Sequence, residues 1–184
     1  MKCDVSEKAL LDQRIGIFVD VQNLFYSAKT IHHSKINFEK LLQIILKGRK
    51  LIRAIAYIVQ KGEDHQQAFI DVLKRLGYEV RSKDLRVRAD GTAKGDWDMG
   101  IAIDTMSLVN KLDTVVLVSG DGDFAPLVEM LKANGCRVEV YSFPESTSND
   151  LIVAATSYKA IEETILLKQN SNSGKEKKYK KNKK

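Results

Sequence analysis

Four aspartates, one asparagine and one serine carry the chemistry this sequence is equipped for. Asp121 and Asp123 stand one residue apart in Leu117-Val-Ser-Gly-Asp-Gly-Asp-Phe124, where an apolar run (114–118) stops at Ser119-Gly120 and a second apolar periodicity starts at Phe124. Asp20 closes another apolar run, Ile15-Gly-Ile-Phe-Val-Asp20, and Asn23 follows three residues later. Asp98 lies where a third, helical pattern begins, with Asp96 just before it and Asp104 further along the same segment. Like charges about 4 Å apart repel by roughly 4 kcal/mol at an effective dielectric near 20. Three or four carboxylates sharing a pocket therefore either protonate in part or hold a cation. Oxygen-only ligation by Asp and Asn, with no His or Cys nearby, selects a hard ion, Mg²⁺ or Mn²⁺. Such a centre orients water and neutralises charge on a phosphodiester. Each acid also has a plainer reading: Asp20 can cap a helix starting at Val21, and Asp123 one starting at Phe124. Taken singly, either acid is better explained as a cap. Ser119 is divided in the same way between a turn hydroxyl and a contact to metal or phosphate.

Whether these acids meet depends on the elements that carry them. Apolar periodicity gives a strand over 14–20 and a helix running through Asn23, Leu24 and Tyr26 toward Ile31. Asn37 can cap a helix over 38–46, and Gly48 ends it. A strand over 51–59 precedes a helix over 62–76, stopped by Gly77. A third strand starts at Tyr78 and fades into a charged stretch, 81–94. Next come a helix over about 96–112, a strand over 114–118, a helix over 124–133 ended by Asn134-Gly135, and a strand over 136–143. Ser146, Thr147 and Ser148 offer hydroxyls before a short helix, 149–155, and a last short strand or turn lies near 158–161. Strand–helix alternation argues for an α/β, Rossmann-like three-layer sandwich around a mainly parallel sheet of five or six strands. Right-handed crossovers restrict the order, and with the first half of the chain wound one way and the second half the other it becomes 3-2-1-4-5. Strands one and four are then neighbours, and ligands bind at the C-terminal ends of strands at such a switch point. The topology predicts that Asp20 meets Asp121 and Asp123, with Asp98 able to join them from the first turn of its helix. Asp104, mid-helix on another face, reaches the site only if its helix packs across the crevice.

The charge is unevenly spread. The 184 residues carry a net +6 and are 43% hydrophobic. The stretch 168–184 holds eight lysines and one glutamate, which leaves the other 167 residues at −1. We expect a polar lead (1–13), one domain (14–165) and a disordered Lys-rich tail (166–184), either solubilising or a polyanion-binding arm. Cys3 and Cys136 have no metal or disulfide spacing, and no run is long enough to span a membrane, so a cytoplasmic setting is expected. A homodimer is left open. Arg81, Lys83, Arg86, Arg88 and Lys94 crowd the segment before the acidic helix. They form a solvated hairpin or loop on the plain reading, and a phosphate track beside the acids on the functional one. Trp97 reads as core packing. Of Phe25 and Tyr26, one faces the core and the other is free to stack on a base. His32, His33 and His65 read as surface residues.

Asp20-Val-Gln-Asn23, Lys94-Gly-Asp-Trp-Asp-Met-Gly-Ile-Ala-Ile-Asp104 and Ser119-Gly-Asp-Gly-Asp-Phe124, with Glu145-Ser-Thr-Ser148 and Leu151, resemble the motifs of NYN domains, in particular the LabA-like branch of the PIN-like nuclease superfamily. The similarity covers roughly residues 14–165. The resemblance implies a metal-dependent ribonuclease centre at Asp20, Asp98 and Asp121 with Asp123 beside them, Asn23 matching the family's strand-one asparagine, and RNA as substrate. One departure is the Asp96-Trp97 pair, where other members often carry one small apolar residue. It leaves open which of Asp96 and Asp98 faces the metal.

Catalysis on this reading puts Asp20, Asp98, Asp121 and Asp123 on one or two ions. Asn23, Lys94, Ser119, Ser146, Thr147, Arg86 and Arg88 are candidates for substrate contact, and Asp96 and Asp104 are secondary acids. With no His as general base, activation of water falls to the metal. The competing reading is a non-catalytic PIN-like module that binds RNA or regulates. A Toprim-like D-x-D centre would want a strand-one glutamate where this chain has Asp20. A phosphotransferase would want paired acids directly after strand one.

Overall fold

The computed structural model describes residues 12–60, 65–87, 93–94 and 96–167, with the backbone course alone at 65, 86–87 and 93–94. Ten strands are defined among the described residues, and six of them form the central sheet. The six are β1 (Arg14–Asp20), β3 (Lys50–Gln60), β4 (Glu79–Asp84), β7 (Thr114–Val118), β8 (Arg137–Ser142) and β9 (Ser157–Ala160). Their order is β4-β3-β1-β7-β8-β9, and every pairing is parallel. Counted over these long strands alone, the expected order 3-2-1-4-5 is present, with β9 added as the sixth strand beyond β8.

Alternation along β1 shows how the sequence builds two cores. Ile15, Ile17 and Val19 face one side, with α1 (Val21–Thr30), α2 (Phe38–Leu46) and α3 (His65–Arg75). Phe18 faces the other, with α4 (Asp98–Leu108), α5 (Ala125–Ala133) and α6 (Asn149–Ala154). Strands covered on both faces read as continuous apolar runs, as β7 does: Thr114–Val118 is buried throughout. The chain winds from β1 to β4 over the first face and from β4 to β9 over the second. β1 and β7 therefore lie side by side in the middle, with Val19 opposite Val118.

Local signals hold at most boundaries. Asn37 caps α2, its Oδ1 accepting the Lys40 N–H at 3.0 Å. Gly77 follows α3 with φ +93°, a left-handed conformation that glycine takes without strain. Two pairings escaped the periodicity because two-residue strands have none: β2 (Lys35–Ile36) with β10 (Leu166–Leu167), and β5 (Arg86–Val87) with β6 (Ala93–Lys94), both antiparallel. The first pairs Leu166 and Leu167, which fall just beyond the expected domain boundary at 165. The second makes the charged stretch a short ribbon at its ends. Arg88, most of the lead (1–11) and the lysine-rich stretch from 168 lie outside the described residues. Among the described residues no helix is long and apolar enough to cross a membrane.

Candidate metal centre

The turn after β1 and the turn after β7 are tied together by side chains. Asp20 Oδ1 accepts the Asn23 N–H at 3.1 Å and so caps α1. Its Oδ2 accepts from Ser119 Oγ at 3.2 Å. Ser119 is fully buried, and its Oγ also accepts the Asp121 N–H at 3.2 Å. Asn23 Oδ1 accepts the Gly120 N–H at 3.0 Å. Two residues of the first strand–helix unit thus fix Ser119 and Gly120 of the β7 loop, and Ser119 in turn holds Asp121. Asp20 is both the expected cap and part of the crevice.

Asp121 takes the capping role expected of Asp123. Its Oδ1 accepts the Asp123 N–H at 3.0 Å, at the head of a 3₁₀ turn, Gly122–Phe124, that leads into α5. The turn starts ahead of the expected helix, so its first unpaired N–H groups fall to Asp121, and the exposed Asp123 carboxylate is spared that role. Asp98 comes from below as the first residue of α4. Trp97 aims that helix: its Nε1 donates to the Ile58 carbonyl on β3 at 2.9 Å, and its ring packs 5.4 Å from that of Tyr57. Lys83 Nζ stands 4.6 Å over the indole and donates to the Asp96 carbonyl.

Carboxylate oxygens of Asp98, Asp121 and Asp123 lie within 4.8 Å of one another. Burial pushes the Asp98 carboxyl up to about 6, and Asp96, Asp121, Asp20 and Asp123 push the same way. Burial also raises Asp20, against the hydrogen bonds from Asn23 and Ser119, with Asp121 adding to the rise. Each charged neighbour that moves these two groups is another carboxylate. An all-oxygen donor set with uncompensated negative charge fits a hard divalent cation. The cleft above it is about 270 Å³ and is lined by Asp20, Gln22, Asn23, Tyr26, Asp96, Trp97, Asp98 and Asp121.

Other expected site residues sit elsewhere. Asp104 points away: it accepts from Tyr57 Oη at 2.8 Å and pairs with Arg81 Nε at 2.7 Å, because the turn it occupies faces β3 and β4. Asp96 is exposed and lines the cleft. Ser146 and Thr147 are engaged within the protein, Ser146 by α1 and Thr147 by its own turn. Ser146 Oγ accepts from Ser27 Oγ at 2.7 Å, and Thr147 Oγ1 donates to the Phe143 carbonyl at 2.6 Å. Their contribution to the site is through Gly120, where a Cβ would lie 2.3 Å from the Ser146 carbonyl oxygen. Arg86 and Lys94 lie in the short ribbon, described by backbone alone; Arg88 and Gly95 lie outside the described residues. His32 is not a plain surface residue: its side chain is 12% exposed and its ring centroid stands 4.7 Å from that of Phe143. Gln22 was missed, although its four-residue spacing from Tyr26 was a readable signal for one helix face.

Comparison with known proteins bears on the family and the fold. The chain is 30% identical to the low amplitude and bright protein LabA of Synechococcus elongatus, the match covering 82% of this chain and 84% of that protein. A crystal structure of a protein of unknown function from Vibrio parahaemolyticus superposes with a TM-score of 0.80 at 35% identity, over 91% of this chain and 100% of that one. The model of the NYN domain matches residues 14–162, a span that holds both loop acids, Asp20 and Asp98. With that span covering most of the chain and the acids gathered where the two half-sheets diverge, this protein belongs to the NYN domain family of the PIN-like nuclease superfamily.

Proposed function

We propose that the domain is a metal-dependent ribonuclease that hydrolyses RNA phosphodiester bonds in the acidic cleft, with Mg²⁺ or Mn²⁺ as its cofactor. The observation that carries this reading is the approach of Asp98, Asp121 and Asp123 oxygens to within 4.8 Å, with every charge that moves Asp98 negative. Family membership supports it, since NYN domains are in general nucleases that act on RNA.

Asp98, Asp121 and Asp123 would hold the cation, with Asp20 close behind and Asp96 at the rim. When bound, the ion supplies neutralising charge for the phosphodiester and a lowered pKa for water. The chain's own residues do the positioning. Asp20 holds Ser119, Ser119 holds the Asp121 backbone, and Asn23 holds Gly120, so Asp121 meets the substrate from a preorganised loop. Asn23 accepts through Oδ1, which leaves its amide group as the candidate donor to a phosphate oxygen.

The test is cleavage of a fluorescent RNA by wild type and Asp121→Asn, with Mn²⁺, with Mg²⁺ and with EDTA. We expect cation-dependent cleavage, and a loss on the order of 100-fold or more in the variant, the scale of removing one preorganised electrostatic group. Equal cleavage by both proteins, or cleavage that persists in EDTA, overturns the reading. Binding of the RNA without cleavage would select the non-catalytic module instead.

A further inference from the structure

We propose that the outer face of α1 is a binding track for an unpaired nucleic-acid strand, with Tyr26 as a base-stacking platform and Lys29 as a phosphate contact. The proposal rests on the cleft above being where nucleic acid binds, and it names how that cleft recognises its substrate. Within α1, burial sets the rotation of the helix. Val21, Leu24, Ser27 and Ala28 face the sheet, and Phe25 packs 5.1 Å from Phe69 and 6.0 Å from Phe38. That leaves Gln22, Tyr26 and Lys29, with Thr30 at the helix end, exposed.

Tyr26 is 70% exposed and is the one aromatic among the large exposed hydrophobics of the described residues. A lone exposed apolar residue is ordinary; its position is what carries the argument. Tyr26 lines the same cleft as Asp20, Asp98 and Asp121. From Gln22 to Tyr26 the helix rises about 6 Å, and from Tyr26 to Lys29 about 4.5 Å. An amide, a ring and a cation thus leave the acids in a row, with a spacing near that of successive nucleotides. The cleft's other aromatic cannot serve. Trp97 is covered by Lys83, packs on Tyr57 and donates its indole N–H to Ile58.

A ring used in this way selects by strandedness. A base can stack on Tyr26 only when it is out of a duplex, and every base has a face to offer, so recognition is tolerant of sequence. Lys29 adds a salt-dependent contact beside a pocket whose own charge repels phosphate.

The track can be read without turnover. In the full chain carrying Asp121→Asn, anisotropy of a labelled twelve-nucleotide oligoadenylate would be measured in Mg²⁺, alone and annealed to its complement. We expect the single strand to bind more tightly than the duplex. Adding Tyr26→Ala should weaken single-strand binding by about 5- to 150-fold, while Tyr26→Phe stays within about twofold. Lys29→Ala should lower the slope of log affinity against log salt by about 0.7. Tyr26→Ala binding like its parent, the duplex binding as well as the single strand, or no binding by the parent would each overturn the track. Tyr26-dependent binding in a protein whose wild type cleaves nothing would uphold the track and overturn the nuclease reading alone.

Discussion

Asp20 ends β1 and Asp121 follows three residues after β7, and each turns one carboxylate oxygen onto a backbone N–H at the head of the next helical turn. A cap and a cleft carboxylate are compatible roles, because a carboxylate has acceptor capacity to spare. Asp98 has no capping role, and its position is the costlier one. Its carboxyl stands at about 6 in the folded chain against an ordinary value of 3.8, chiefly through burial and then through its acidic neighbours. Between those values the folded state holds a proton that the unfolded state has lost. Stability without metal therefore falls as pH rises through that window, and the penalty is complete above about 6. In EDTA, Asp98→Asn should melt a few degrees above wild type at pH 7 and nearly level with it near pH 4, as read by scanning calorimetry. Saturating Mn²⁺ should reverse the order at pH 7, because a cation that binds only the folded state stabilises it by mass action.

At the scale of elements, the acidic loop is a joint between three turns. Gly120 lies where the β7 turn meets the turn Pro144–Ser146, and the Ser148 N–H donates to the Gly120 carbonyl at 3.0 Å. The contact is backbone against backbone, so an added methyl cannot be relieved by rotating a side chain. Gly120→Ala should cost on the order of 1–3 kcal/mol, the usual penalty of overpacking, and should weaken Mn²⁺ binding by moving Asp121. A urea melt and a metal titration check the two parts, and an unchanged cation affinity would show that the loop does not rely on this contact. The glycine was visible in Ser119-Gly-Asp-Gly-Asp123. Its reason was not, because the atoms it avoids belong to Ser146 and Thr147, a helix and a strand further along the chain.

At the scale of the molecule, the sheet is strapped together on the face away from α4. Arg49, at the turn between α2 and β3, reaches Glu139 on β8 with contacts of 3.0 and 3.1 Å, and also donates to the Ile45 carbonyl. The two side chains are 6% and 9% exposed. The strap crosses β1 and β7, the strands whose ends carry Asp20 and the acidic loop. Arg49→Ala strands a buried carboxylate with only the half-exposed Arg137 at 3.6 Å, and should cost about 3–5 kcal/mol in a urea melt. The double variant Arg49→Met, Glu139→Leu should lie much closer to wild type, since replacing a buried pair with apolar groups is often neutral or better.

By itself the sequence determined the alternation of elements and the order of five of the six sheet strands, and it led us to expect Asp20, Asp121 and Asp123 at one edge with Asp98 able to join them. Apolar period and strand-end acids are local signals, and handed crossovers turn them into topology. Only the tertiary structure decided how the acids divide their work. Which residue caps depends on where a turn begins, a small shift that periodicity does not resolve. Asp104 was lost to Tyr57 and Arg81, the Ser146 hydroxyl to Ser27 on α1 and the Thr147 hydroxyl to its own turn, because those partners are distant in sequence or face inward only after packing. Tyr26 gained its interest in the same way: burial of Val21, Leu24, Ser27 and Ala28 fixed the helix rotation and left its ring beside the acids.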